Sequence, residues 1–286
     1  SSFVGAGQNN TASGYMSTIG GGFSNLTANQ FSTIGGGYDN TVSGNQGFVG
    51  GGQVNTASGS FATVGGGQSN TASGTRGTIA GGESNLATNN FSSVVGGQNN
   101  TASGVYSVAA GGYFNTVSGT YAFLGAGSIN GVAGNCAALV GGKANAASGN
   151  ISFVGGGCTN TACAGWSTVG GGGNNTASGA CSFVGGGLCN CATGTNATAA
   201  GGTCSRATNS NATVSGGKGN QASGNISSIG GGEDNCASGT NSRVGGGYAN
   251  TASGNYGTIG GGQSNLASSA YVTIAGGQSN TASCYR

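Results

Sequence analysis

A strict fifteen-residue repeat leaves this chain few folds to choose from. The stretch Thr63-Val64-Gly65-Gly66-Gly67-Gln68-Ser69-Asn70-Thr71-Ala72-Ser73-Gly74 has copies along the whole sequence. Val64 recurs forwards as Ile79, Val94, Ala109 and Leu124, and backwards as Val49, Ile34, Ile19 and Val4. The series runs to Ile274, giving 19 copies in 286 residues with no insertion or deletion. A short period held this strictly specifies one structural unit stacked on its own copies, each touching only its neighbours. Residues are therefore best compared in columns, with Val64 taken as column one and Thr78 as column fifteen.

Column one is Val, Ile, Leu or Ala in every copy; column nine is mostly Ala, and column seven is Asn except at Ser205. The coil also divides in two. Asn70-Thr71-Ala72-Ser73-Gly74 has the same shape as Ala62-Thr63-Val64-Gly65-Gly66, so a coil is seven residues plus eight. Each half alternates with period two, which predicts a short strand with one buried face. Column four is Gly in all 19 copies and column eleven is Gly in 13, with Asn29, Asn89 and Asn209 among the exceptions. Gly and Asn best tolerate the left-handed backbone, so these two columns are the expected corners. The predicted fold is all-β: a parallel β-solenoid or β-roll of 19 fifteen-residue coils, two short strands per coil. Residues 1–286 form a single repeat array. The chain starts and stops inside a repeat and lacks an initiator Met and a leader, so it is expected to be part of a longer chain.

Columns seven, nine, fourteen and one point inward. The Asn column (Asn10, Asn25, Asn40 and onward) is expected to form a buried amide ladder, each side chain bonded to its neighbours above and below. Columns eight and ten then face outward as a flat hydroxyl ladder: Thr11/Ser13, Thr41/Ser43, Thr56/Ser58, Thr71/Ser73, Thr101/Ser103, Thr116/Ser118, Thr176/Ser178, Thr251/Ser253 and Thr281/Ser283. On the other strand, column fifteen mixes Thr with Phe3, Phe48, Phe123, Phe153 and Phe183 beside a glycine stripe in column two. That face is the expected protomer contact, because glycine permits close approach of another backbone. Column thirteen carries Phe31, Phe61, Phe91, Tyr106, Tyr121, Trp166, Tyr256 and Tyr271, an edge packing stripe or a carbohydrate-stacking surface. Leu26, Leu86 and Leu266 in column eight, with Ala146 and Arg206, recur at multiples of four coils. This superperiod reads as duplication history or as a recurring contact along a fibre.

Chemistry is sparse. With 68 Gly but no Pro and no three-residue period, collagen is excluded. Only ten side chains are charged, for a net of +2, which argues against a nucleic-acid footprint. No apolar run is long enough to insert into a membrane within this segment. There is no His, and the carboxylates are Asp39, Glu83, Glu233 and Asp234, so no enzyme, metal site or cofactor is expected. The adjacent Glu233-Asp234 pair reads as a solvated corner. Nine Cys fall between Cys136 and Cys284; Cys189 and Cys204 share a column in adjacent coils, within disulfide range of each other. Asn-x-Ser/Thr sequons occur at Asn9, Asn25, Asn90, Asn99, Asn150, Asn174, Asn196, Asn211 and Asn225.

The paired halves Asn-x-Ala-x-Gly and Ser-x-Val/Ile-x-Gly resemble, over the whole chain, the head repeats of YadA-like trimeric autotransporter adhesins. That resemblance implies a left-handed β-roll, three chains to a head, and adhesion to a host surface; the family repeat is usually one residue shorter than the repeat here. The half-coil is also similar to the Asn-x-Val-x-Gly repeats of grass ice-recrystallisation inhibitors, whose hydroxyl face meets ice. The functional expectation is a structural or adhesive surface fibre, extracellular or at the cell surface, self-associating as a trimer or filament. Its partners would be a host surface, glycan or ice, and ice binding through the Thr-x-Ser ladder is the alternative.

Overall fold

The computed structural model describes residues 1–283; Cys284, the last of the nine cysteines, lies outside the described residues with Tyr285 and Arg286. The chain is all-β, a parallel β-solenoid of about 19 turns, each of roughly fifteen residues with two short strands. Two compact units divide the chain, Ser1–Ala144 and Asn145 onward. The strands of the first run from Phe3–Val4 to Ala138–Leu139, and those of the second from Ala146–Ala147 to Thr281–Ala282.

Within each unit two parallel sheets build up one coil at a time, always in register. In the valine sheet Val64 lies beside Val49 on one side and Ile79 on the other. In the alanine sheet Ala72 lies between Ala57 and Ala87. The alternation expected from the sequence is present: columns one, seven, nine and fourteen are buried, so the core is Val/Ile, Asn, Ala and small residues. A third line of contact was not foreseen. Column five forms single-residue parallel bridges, for instance Gln53 with Gln68, Gln68 with Glu83 and Glu83 with Gln98.

The corners differ in part from the expectation. Column four is left-handed as expected, with Gly67 at φ +91° and Gly82 at +94°. There a Cβ would also press against the ladder, at 2.7 Å from Asn70 Nδ2 in the case of Gly67. Column eleven is not left-handed. Space is short at its glycines: a Cβ on Gly74 would collide with the carbonyl of Asn89 in the next coil. Asn29, Asn89 and Asn209 serve that corner through their side chains instead. Asn89 Nδ2 donates to the Ser103 carbonyl (3.0 Å), and its Oδ1 accepts from the N–H of Asn90 (2.9 Å).

The left-handed residues of the second corner are in column thirteen, matched seven residues earlier by column six. Arg76 has φ 56°, Tyr121 57° and Trp166 57°, while Ser69 has 55° and Asp39 54°. Such a conformation costs a non-glycine residue about 1–2 kcal/mol. The return is a reversed hydrogen bond. Strand N–H groups donate forwards to the next coil, as Thr71 does to Asn85 (2.9 Å), whereas Arg76 donates backwards to Ser60 (2.8 Å) and Ser69 to Gln53 (2.9 Å). Each coil is thereby bonded in both directions.

Candidate functional site

The Asn ladder lies at the centre of the coil. Asn40 donates its backbone N–H to Asn25 Oδ1 (3.0 Å), and its Nδ2 donates to the carbonyls of Gly36 (3.1 Å) and Gly52 (2.9 Å). The same bonds recur at Asn70, Asn100 and Asn175. The ladder is therefore chiefly side chain to backbone. Direct amide-to-amide bonds add to it at some steps, such as Asn70 Nδ2 to Asn55 Oδ1 at 3.1 Å. A carboxamide is what fits, because one acceptor and two donors are each matched within the column. Ser205 breaks the ladder: its N–H still donates to Asn190 Oδ1 (2.9 Å), but its hydroxyl is buried without a partner.

The hydroxyl ladder differs from the two-column strand face expected of it. Strands of this sheet end at column nine, as in Thr11–Ala12, Thr116–Val117, Thr176–Ala177, Thr251–Ala252 and Thr281–Ala282. Ser13, Ser118, Ser178, Ser253 and Ser283 therefore lie one residue past their strands, where the corner begins. Ser43, Ser58, Ser73 and Ser103 are placed in the same way. The physical reason is a shared acceptor. Ser118 and Gly119 both donate their N–H groups to the Val132 carbonyl (2.8 and 3.2 Å), and two successive donors reach one oxygen only where the backbone bends.

Exposure along the ladder is uneven as well. Column eight is mostly half-buried; Ser13, Ser118, Ser253 and Ser283 are exposed, but Ser103 and Ser178 are half-buried. The Ser13 hydroxyl is already engaged, donating to the Thr27 carbonyl (3.1 Å). Thr41, Thr56 and Thr71 lie side by side in register, with Ser43, Ser58 and Ser73 next to them. Thr101 neighbours Thr116. Elsewhere the ladder is interrupted: Leu26 separates Thr11 from Thr41, Leu266 separates Thr251 from Thr281, and Thr176 abuts Cys191. Thr161 pairs with Thr176 and extends the ladder, with Cys163 following it where Ser usually stands. The longest Thr run is thus three coils.

On the opposite face the Phe rings fold onto their own coils. A Cβ on Gly50 would meet the Phe48 ring at 3.5 Å, and one on Gly185 would meet Phe183 at 3.3 Å. Aromatic rings over strand glycines are a familiar way to cover bare backbone. Column two is also accounted for within the chain where the ring is absent, since a Cβ on Gly20 would collide with the Gly35 carbonyl. Column three is different. Cβ atoms built on Gly81, Gly96, Gly111, Gly216 and Gly231 would meet nothing within 4 Å, and the φ angles of these five are not left-handed; Gly156, at φ 147°, and Gly141, whose Cβ would lie 3.3 Å from the Ala126 carbonyl, are exceptions in the column.

The column-thirteen aromatics stack on each other. The Arg76 guanidinium sits 5.2 Å from the centroids of both Phe61 and Phe91, Phe91 stacks on Tyr106 at 4.5 Å, and Tyr106 on Tyr121 at 5.0 Å. Inside the run from Phe61 to Tyr121 each ring meets a neighbouring ring or the Arg76 guanidinium, whereas Trp166, flanked in its column by Ile151 and Cys181, has no ring stacked on it and is exposed. Within that run the arrangement is that of a packing stripe.

Titratable groups are dispersed. Glu233 accepts a bond from Lys218 Nζ (2.7 Å), and that bond and charge hold the ammonium above the usual lysine value. Asp234 is exposed. Burial, then the neighbouring Cys204 thiol, push the Cys189 thiol up; both sulfurs are free thiols here. Among the described residues no three His, Cys, Asp or Glu side chains gather as a metal site would require. No helix there is long and apolar enough to cross a membrane. Of the sequons, Asn25 is buried in the ladder, whereas Asn90, Asn150 and Asn225 are exposed at a corner. No protein-family model matches the chain, and no curated protein matches it in sequence.

Proposed function

We propose that this chain is a segment of a structural or adhesive fibre, extracellular or at the cell surface, which presents repetitive faces and associates with copies of itself. The observation that carries this reading is the column-three glycine stripe. Column four needs glycine for its backbone angle, and in columns two and eleven a Cβ on glycines such as Gly20 and Gly74 would press against a carbonyl of the next coil, although Val95 and Val140 in column two and Ala164 in column eleven are accommodated. Gly81, Gly96 and Gly111 in column three need it for neither, which supports a demand for bare backbone from outside, from a surface packed closely against it. The dispersed charges and the YadA-like half-repeats fit the same role, with a trimer as the arrangement that resemblance suggests.

The test separates association from folding. Gly96→Val and Gly111→Val place side chains in open space, so circular dichroism and melting temperature should be unchanged while sedimentation shifts from oligomer to monomer. A wild-type chain that sediments as a stable, dispersed monomer would sink the proposal.

Ice binding is the second reading, favoured by the register of Thr41, Thr56 and Thr71 with their Ser partners. The breaks at Leu26, Leu86 and Arg206 weigh against it, because a lattice-matched surface needs longer uninterrupted rows. Thermal hysteresis and recrystallisation assays decide: ice growth unaffected by the protein removes this reading.

A further inference from the structure

Two pairs of tyrosines, one in each unit, occupy column thirteen in adjacent coils. Tyr106 and Tyr121 have ring centroids 5.0 Å apart and planes inclined by 4°; Tyr256 and Tyr271 are 4.9 Å apart at the same 4°. All four are exposed, from 43% for Tyr106 to 66% for Tyr271. The left-handed backbone at each of them directs the side chain away from the core, and the coil step sets the ring spacing. We propose that each pair is an oxidative cross-linking site at which two phenols join as an intramolecular dityrosine, stapling one coil to the next.

The chemistry follows from the geometry. A one-electron oxidant of the haem peroxidase class, supplied with hydrogen peroxide, removes one electron and one proton from each phenol. The two phenoxyl radicals carry spin density on the carbons ortho to oxygen. In-register stacking sets the ortho carbons of one ring over those of the other, and exposed rings can tilt until a carbon–carbon bond forms. The two ortho hydrogens leave those carbons as the rings regain aromaticity, and both phenol O–H groups are restored. The net result is that two tyrosines and one peroxide give one dityrosine and two waters. Coupling within the chain is favoured over coupling between chains because the partner radical is held in place, at an effective concentration no free second molecule matches. A solenoid held along its axis by hydrogen bonds and packing gains a covalent tie between coils.

The remaining described tyrosines act as internal controls. Tyr15, Tyr38, Tyr113 and Tyr248 are equally exposed, but no tyrosine holds the same column in a neighbouring coil. The experiment oxidises the intact chain with peroxidase and hydrogen peroxide after its cysteines have been alkylated. Dityrosine fluorescence should appear while the chain keeps the electrophoretic mobility of a single chain. The tryptic peptides 77–143 and 244–286 should each lose the mass of two hydrogen atoms, with fragmentation placing the link at 106–121 and 256–271. The double variant Tyr121→Phe, Tyr271→Phe should fold normally, since Phe is native to the column at Phe31, Phe61 and Phe91, and its fluorescence should fall to background. The double variant Tyr113→Phe, Tyr248→Phe should match the wild type. Links only between chains, links at the control tyrosines, or undiminished fluorescence in the first variant would each overturn the proposal.

Discussion

Individual residues in this solenoid act through their column, so a departure from a column is the most informative change to test. Ser205 is the one gap in the Asn ladder. Restoring the amide gives the buried site donors for the Gly201 and Gly217 carbonyls and an acceptor for the Asn220 N–H, by analogy with Asn40. Hydrogen bonds that satisfy buried groups are worth about 1–2 kcal/mol, so Ser205→Asn should raise stability by that order in urea titration. No increase would mean that the gap is already satisfied. Ile226 is a second departure, a β-branched side chain at φ 56° and exposed. Asn tolerates that backbone and already fills the column at Asn196, Asn211 and Asn241. Ile226→Asn should therefore stabilise the chain by about 1 kcal/mol. An unchanged denaturation midpoint would show that the left-handed corner carries no such strain.

At the level of the coil, register governs. Every side chain's environment depends on its column, and a strand displaced by one residue exchanges its buried and exposed faces. Deleting residues 66–80, one full coil, joins Gly65 to Gly81 with every column intact. Deleting residues 67–80 moves each later residue out of register at the junction. The first deletion should retain the circular dichroism spectrum per residue and a single unfolding transition. The second should broaden the transition or lose part of the signal. Equal behaviour of the two would contradict a stack held by in-register ladders.

Taken as a whole, the molecule carries little that titrates near neutrality: there is no His, and among its ten charged side chains the resolved pKa shift is that of Lys218. A lysine whose pKa is raised on folding lends stability below its unfolded value and loses it as pH rises through the folded value. Lys218 therefore changes nothing until strong alkali, and as an exposed pair with Glu233 it contributes little at any pH. Stability should be flat between about pH 5 and 8. A melting temperature that moves by several degrees across that range would reveal a coupled ionisation not accounted for by these groups.

The class of fold was legible in the sequence, because an unbroken fifteen-residue period with alternating Val and Ala admits only stacked strands of fixed register. Val64, Ala72 and Asn70 are buried where the alternation puts them, and Gly67 turns the corner expected of it. Only the tertiary structure decided where each strand stops and which other residue bends the chain. Ser118 leaves its strand because its N–H shares the Val132 carbonyl with Gly119, an acceptor in the next coil that the Thr-x-Ser pattern does not show. Tyr121 and Ser69 take the left-handed angle not because their side chains prefer it but because doing so aims an N–H at the preceding coil, a partner that exists only once coils are stacked. The same holds for the glycines. Columns two, three, four and eleven are alike in one dimension, and three of them acquire an internal reason when neighbouring carbonyls and angles are in place. Gly81, Gly96 and Gly111 of column three do not, because no atom of the chain stands where their Cβ would be.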